Sequence, residues 1–185
     1  MCIRDRYGTV RTTGYGYSLW EFQVFGTFGP VPTPTPTATP VTSTGSCGTT
    51  NVALNKAATT SSTENAGTPA SAAFDGNTAT RWSSAASDPQ WVEVDLGSSM
   101  SICQVGLNWE AAYGKAFQIQ LSSDNTNWTS IYATLNGTGG NQTLIVGGTG
   151  RYVRMYGTAR GTGYGYSLWE SVSYTHLTLP TIYSV

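Results

Sequence analysis

Three stretches of the chain alternate apolar and polar residues with a period of two. In "WVEVDLG" Val92, Val94 and Leu96 share one face of an extended strand while Glu93 and Asp95 share the other, which reads as solvated. In "AFQIQLS" Phe117, Ile119 and Leu121 oppose Gln118 and Gln120, and "RYVRMYG" continues the pattern with Val153 and Met155. A helix needs its apolar residues three or four apart, so this spacing predicts strands with one buried face. Clusters of Gly, Asn, Asp and Ser separate the strands, as in an antiparallel all-β sandwich or jelly roll. "SSDNTNWTSIY" reads as a hairpin whose Asp124, Asn125 and Asn127 tolerate turn conformations. Trp82, Trp91, Trp128 and Trp169 lie in or beside strands and are expected in the core.

The 185-residue chain also repeats itself. "YGTVRTTGYGYSLWE" at 7–21 returns as "YGTARGTGYGYSLWE" at 156–170. Between the copies, 27–46 carries Pro30, Pro32, Pro34, Pro36 and Pro40 among threonines, a semi-rigid polyproline-like linker of roughly 3 Å per residue. Residues 7–26 are expected to be the C-terminal remnant of an upstream module, and 47–170 one complete-sized domain.

The ends read differently. Met1–Asp5 back-translates to ATG TGT ATA AGA GAC, whose reverse complement encodes Val-Ser-Tyr-Thr-His, the sequence of Val172–His176. Residues 1–6 and 171–185 therefore resemble translated sequencing-library adapter and are set aside from fold reasoning. "VSYTHLTL" also has the composition of a strand.

Without the ends, the lone histidine, His176, drops out, and the net charge moves from −1 to −2. The chain then has no basic footprint for nucleic acid or anionic lipid. It also has no Ser-His-Asp triad and no histidine-ligated zinc. No apolar run is long enough to span a membrane. Glu93 and Asp95 approach carboxylate-pair spacing but flank no evident cleft, so no catalysis is expected here. Cys47 and Cys103, in a Thr/Ser/Gly-rich chain with a proline spacer, suggest a disulfide formed in an oxidising compartment, or else two buried thiols. "AFDGNTATRW" offers Asp75, Asn77 and Thr80 as oxygen donors for a calcium ion, or forms an ordinary Asp-Gly-Asn turn.

Six motifs occur in order: "NVALNKAATTSS", "ASAAFDGNTATRWSS", "DPQWVEVDLG", "VGLNWEAAYGKAFQIQLSSDNTNWTSIY", "GRYVRMYGTARGTGYGYSLWE" and, in the first copy, "EFQVFG". Together they resemble the discoidin or coagulation factor 5/8 type C domain, most nearly its bacterial carbohydrate-binding members of family 32. The resemblance implies an eight-stranded antiparallel jelly roll, sugar-binding loops at one end and a structural calcium to which Glu170 adds a carboxylate. It also implies that the domain's last strand should read like Glu21–Gly26 but is cut short after Glu170. Phe22–Phe25, or Val172–Leu177, is expected to fill the slot beside Asn51–Leu54.

A sugar site needs an aromatic ring for the pyranose face and planar polar groups for paired hydroxyls. Three loops supply these: Glu64 and Asn65; Trp109, Glu110 and Tyr113; and Arg160, Tyr164 and Tyr166. Arg160 is the foremost candidate, because its fork of donors suits vicinal hydroxyls; its alternative role is a salt bridge. Trp109 is a candidate either for the site or for the core. The expected function is a non-catalytic, monomeric module of a secreted bacterial chain. It would tether a glycan-active enzyme, such as a hydrolase or lyase, or a surface protein to a β-glucan or galactose-containing polysaccharide. The alternative is a cell-adhesion domain that docks on a protein or membrane surface.

Overall fold

The computed structural model describes residues 47–175. Its strands are β1 (Ala57–Thr60), β2 (Trp82–Ser83), β3 (Gln90–Trp109), β4 (Gly114–Ser122), β5 (Thr129–Thr134), β6 (Asn141–Arg160) and β7 (Ser167–Thr175), with one 3-10 turn at Ala70–Ala73. All pairings are antiparallel, in the order β2-β7-β3-β6-β4-β5, with β1 added on β3. The domain is all-β, as its alternating pattern predicts.

Seven strands stand among the described residues where eight are expected, because β3 and β6 each run unbroken for 20 residues. Each contributes to both layers of the sandwich. The first half of β3 pairs with β1 and with Tyr152–Gly157 of β6. After a register shift between Asp95 and Met100, its second half pairs with the start of β6 and with β7. Inward side chains from both halves meet in one core: Val92, Val94, Leu96 and Ile102, then, after a second register shift between Ile102 and Gln104, Val105 and Leu107, are each no more than 2 % exposed. Phe117, Ile119, Leu121, Val153 and Met155 complete it from β4 and β6, as their spacing predicts.

The slot beside the domain's first residues is filled by the segment that follows Glu170. The Val52 amide donates to the Ser173 carbonyl at 2.9 Å, and the Ser173 amide donates to Asn51 Oδ1 at 3.1 Å. Phe22–Phe25, the other candidate for this slot, lies outside the described residues, as do Arg11 and His176. Cys47 and Cys103 form a disulfide with Cα atoms 6.0 Å apart, fastening the first described residue to the middle of β3.

The hairpin between β4 and β5 forms where expected. Asn125 adopts φ 59°, and Asp124 Oδ1 accepts the Thr126 and Asn127 amides at 2.9 and 2.8 Å. Of the four tryptophans expected inside, only Trp82 is fully buried; Trp91, Trp128 and Trp169 are half-buried. Trp128 instead covers the outer sheet face, with the Arg154 guanidinium 3.8 Å above its ring. Glu93, opposite Arg154 on the β3–β6 ladder, is 4 % exposed, which corrects its reading as solvated. Burial raises the Glu93 carboxyl above its ordinary range, against the opposing pull of Arg154. Asp95 is held below its usual range by Arg151, whose Nε and Nη2 bind its two oxygens at 2.7 Å each.

Candidate functional site

The loops after β1, after β2, after β3 and before β7 surround a cleft of about 540 Å³. Glu64, Arg81, Ser83, Ser84, Glu110 and Tyr164 supply its polar and aromatic lining. A volume of this size is that of a small-molecule site.

The charged lining groups are fixed by their local fold. The Glu64 amide donates to the Ser83 carbonyl at 2.7 Å, tying its loop to β2. Asn65 forms the turn behind it: Oδ1 accepts the Gly67 amide at 2.8 Å, and the Asn65 carbonyl accepts the Thr68 hydroxyl at 3.1 Å. Trp82, wholly buried, anchors β2 in the core and so fixes Arg81 beside it. Arg81 Nη1 lies 3.3 Å from Glu64 Oε2 and 3.2 Å from Ser167 Oγ. Across the cleft the Glu110 amide donates to the Ser167 carbonyl at 3.0 Å, and Oε2 accepts the Ala112 amide at 3.0 Å. Tyr164 stands at the rim, 75 % exposed.

The structure thus gathers Glu64, Glu110 and Tyr164 and separates the other candidates. Asn65 shapes the loop and is not among the lining residues. Trp109, a candidate for either the site or the core, takes the core: it is 3 % exposed and packs edge-on against Phe117 at 5.5 Å, its Nε1 donating to Gln142. The cause is strand length: the inward series Val105, Leu107 continues to Trp109. Tyr113 props the loop before β7, which approaches so closely that a Cβ on Gly161 would lie 2.3 Å from its ring. Arg160 is engaged elsewhere, with Nε 3.2 Å from Asp88 Oδ2 and Nη1 at 3.4 and 3.3 Å from the Gly163 and Tyr164 carbonyls. The salt bridge is therefore what it forms. Tyr166 is wholly buried, with its hydroxyl donating to Asp88 Oδ1 at 2.5 Å.

Arg81 was not singled out by sequence reasoning. Its signal was its place in "TRW", where a cation next to an anchored tryptophan is held at a fixed site.

Asp75, Asn77, Thr80 and Glu170 do converge. Glu170 Oε1 accepts the Gly76 and Asn77 amides at 2.6 and 3.1 Å, and Asp75 Oδ2 accepts the Thr80 hydroxyl at 2.7 Å. Gly76 has φ +75°, which lets the loop fold back over Glu170. Glu170 is 8 % exposed, and its Oε2 is buried without a hydrogen-bond partner. Burial, followed by the nearby Asp75 charge, pushes its carboxyl up to about 7, although the two amides oppose this. An oxygen-only donor set around an orphaned carboxylate oxygen fits a hard cation such as calcium. Among the described residues no three His, Cys, Asp or Glu side chains cluster, so backbone carbonyls would have to complete such a shell.

A jelly roll bearing a polar, aromatic-rimmed cleft on its loops has the form of a ligand-binding module. The F5/8 type C domain matches residues 57–172, and the chain belongs to this family. Chitosan-binding module 1 of a chitosanase/glucanase from Paenibacillus sp. IK-5 is 54% identical, covering 68% of this chain and 98% of that one at a TM-score of 0.66. Module 2 of that enzyme, solved in complex with chitotriose, is 49% identical, covering 66% and 98% at 0.65. The CBM32 of AlyQ, solved with 4,5-unsaturated mannuronic acid, is 27% identical, covering 65% and 95% at 0.55. The polysaccharide lyase 8 family protein HylA of Enterococcus faecalis is 38% identical over 71 residues, and the match spans 5% of its length.

Proposed function

We propose that the domain is a carbohydrate-binding module for a glucosamine-rich polysaccharide of the chitosan type. The carrying observation is the cleft's charge: the Glu64 and Glu110 carboxylates line it against the single Arg81 guanidinium. A carboxylate facing an ammonium forms a charge-assisted hydrogen bond, whereas a neutral β-glucan or galactose polymer would leave that charge unmatched. Tyr164 at the rim supplies a flat apolar face for a pyranose ring. The likeness to the Paenibacillus chitosan-binding modules supports the choice of ligand.

The module tethers a secreted bacterial enzyme to its substrate. The repeat at 7–21 and the proline linker point to a tandem array, in which two weak sites joined by a spacer gain avidity. The likeness to HylA is compatible with a polysaccharide-degrading parent chain. Asp75, Asn77, Thr80 and Glu170 would hold a calcium ion, which would tie the 75–80 loop to β7 in a structural role.

Pull-down on insoluble chitosan, with titration by chitotriose, tests the reading. The parent is expected to be retained, and Glu110→Gln and Tyr164→Ala each to weaken binding about tenfold, the size of one charge-assisted or stacking contact. Failure of the parent to bind any glycan, together with retention on a protein or lipid surface, would favour the adhesion alternative. For calcium, chelation is expected to lower the thermal midpoint of the parent and leave that of Asp75→Ala unmoved.

A further inference from the structure

The loop that carries Tyr164 is held at both ends but barely in the middle. At its far end the Tyr166 amide donates to Ser84 Oγ at 2.9 Å, and the Ser84 amide donates to the Tyr166 carbonyl at 2.9 Å. At its near end the Gly161 amide donates to the Tyr113 carbonyl at 2.7 Å, and the backbone rests on the Tyr113 ring. Between them, the Gly163 and Tyr164 carbonyls have one shared donor among the described residues, Arg160 Nη1. Among the described residues, the one other polar hold there is the Tyr164 amide on Thr162 Oγ1, at 3.3 Å within the same loop. Glycines at 161, 163 and 165 leave this backbone free to move if the hold is lost.

Arg160 is itself aimed. Its Nε bonds Asp88 Oδ2, and the other Asp88 oxygen accepts the hydroxyl of the buried Tyr166. Asp88 thus couples a core tyrosine to the guanidinium that grips the loop. Neither Asp88 nor Arg160 is among the residues lining the cleft.

We infer that Asp88 and Arg160 are positioning residues for glycan binding: they act through the backbone of the Tyr164 loop and hold the aromatic rim in place without touching the sugar. This rests on the cleft being the glycan site. An ordered rim spares the entropy of fixing a Gly-rich loop when ligand arrives, so the clamp raises affinity by pre-organisation. The first repeat keeps the same set in Arg11, Tyr15 and Tyr17.

The test is a double-mutant cycle read by chitotriose titration, with amide hydrogen exchange on the free protein. Arg160→Gln is expected to weaken binding about tenfold in the parent and to add no further loss in Tyr164→Ala, because it acts through that residue. It is also expected to speed exchange at the Tyr164 amide while the core strands stay protected. Asp88→Asn should reproduce both effects in part. Arg160→Lys, which keeps the charge but loses the fork, should restore neither, and it serves if Asp88→Asn fails to fold. An equal loss from Arg160→Gln in both backgrounds, or unchanged exchange at Tyr164, overturns the inference. If the parent itself ignores chitotriose, the glycan reading fails, and the exchange comparison still decides whether the clamp exists.

Discussion

Ser171 stands directly across the β3–β7 ladder from Leu107, and Ser173 across from Val105. Both serines are buried, at 7 % and 1 % exposure, on strand positions whose partners face the core. Aligning the two copies of the repeat puts Phe22 and Val24 at these positions. The strand's hydrogen bonds are made, but its core face is polar. Ser171→Phe with Ser173→Val is therefore expected to stabilise the domain by about 2 kcal/mol, the scale of burying one large apolar side chain. Chemical denaturation measures it. A lower midpoint would mean that the core has closed around the serines and that the larger side chains overpack it.

The Cys47–Cys103 disulfide closes a loop with a sequence separation of 56. Loop-closure entropy for that length gives about 4 kcal/mol of stabilisation, a large share of a domain's net stability. Reduction, or the Cys47→Ser and Cys103→Ser pair, is expected to lower the denaturation midpoint by a matching amount. Equal midpoints with and without reductant would show that the start of the domain is secured by β7 alone.

Alternation made the sandwich legible, because a half-buried strand has a period that no helix shares. The core residues of β3, β4 and β6 follow from it directly. The inward series Val105, Leu107, carried two residues further, decides Trp109 for the core rather than the binding loops. Arg160 and Arg81 could not be told apart this way: both are cations beside loops. What separates them is a partner distant in sequence, Asp88 for one and Glu64 for the other. Glu93 shows a third kind of miss. Its strand face is outward, yet Arg154 from β6 and Asn125 from the β4–β5 hairpin come up against it and it is buried, and period-two spacing carries no information about such neighbours.

Buried Glu93 has a testable pH signature. Burial raises its carboxyl, the Arg154 charge opposes this, and Asp95 adds a smaller raising effect. A folded-state pKa above the ordinary 4.5 means the folded state favours the protonated acid. Its contribution is then full below that value and is lost as pH rises through the raised one. Glu93→Gln removes the ionisation. Its stability relative to the parent is therefore expected to shift in favour of glutamine between about pH 4 and about pH 7. Urea midpoints of the two proteins at both pH values measure this, and a constant difference would contradict it.

Gly161 offers the sharpest contrast between the two copies, because the first has Thr12 in its place. In the described domain a Cβ there would lie 2.3 Å from the Tyr113 ring. Tyr113 must yield or the loop must lift. Gly161→Thr is therefore expected to cost about 1–3 kcal/mol, the range for overpacking a filled site. It should also weaken chitotriose binding, because the loop that lifts carries Tyr164. Tyr113→Ala loses the prop but removes the clash. If ring and threonine collide, the two changes together must cost less than the sum of their separate effects. Strict additivity in the denaturation cycle would mean that Gly161 is required for its backbone rather than for the space it leaves to Tyr113.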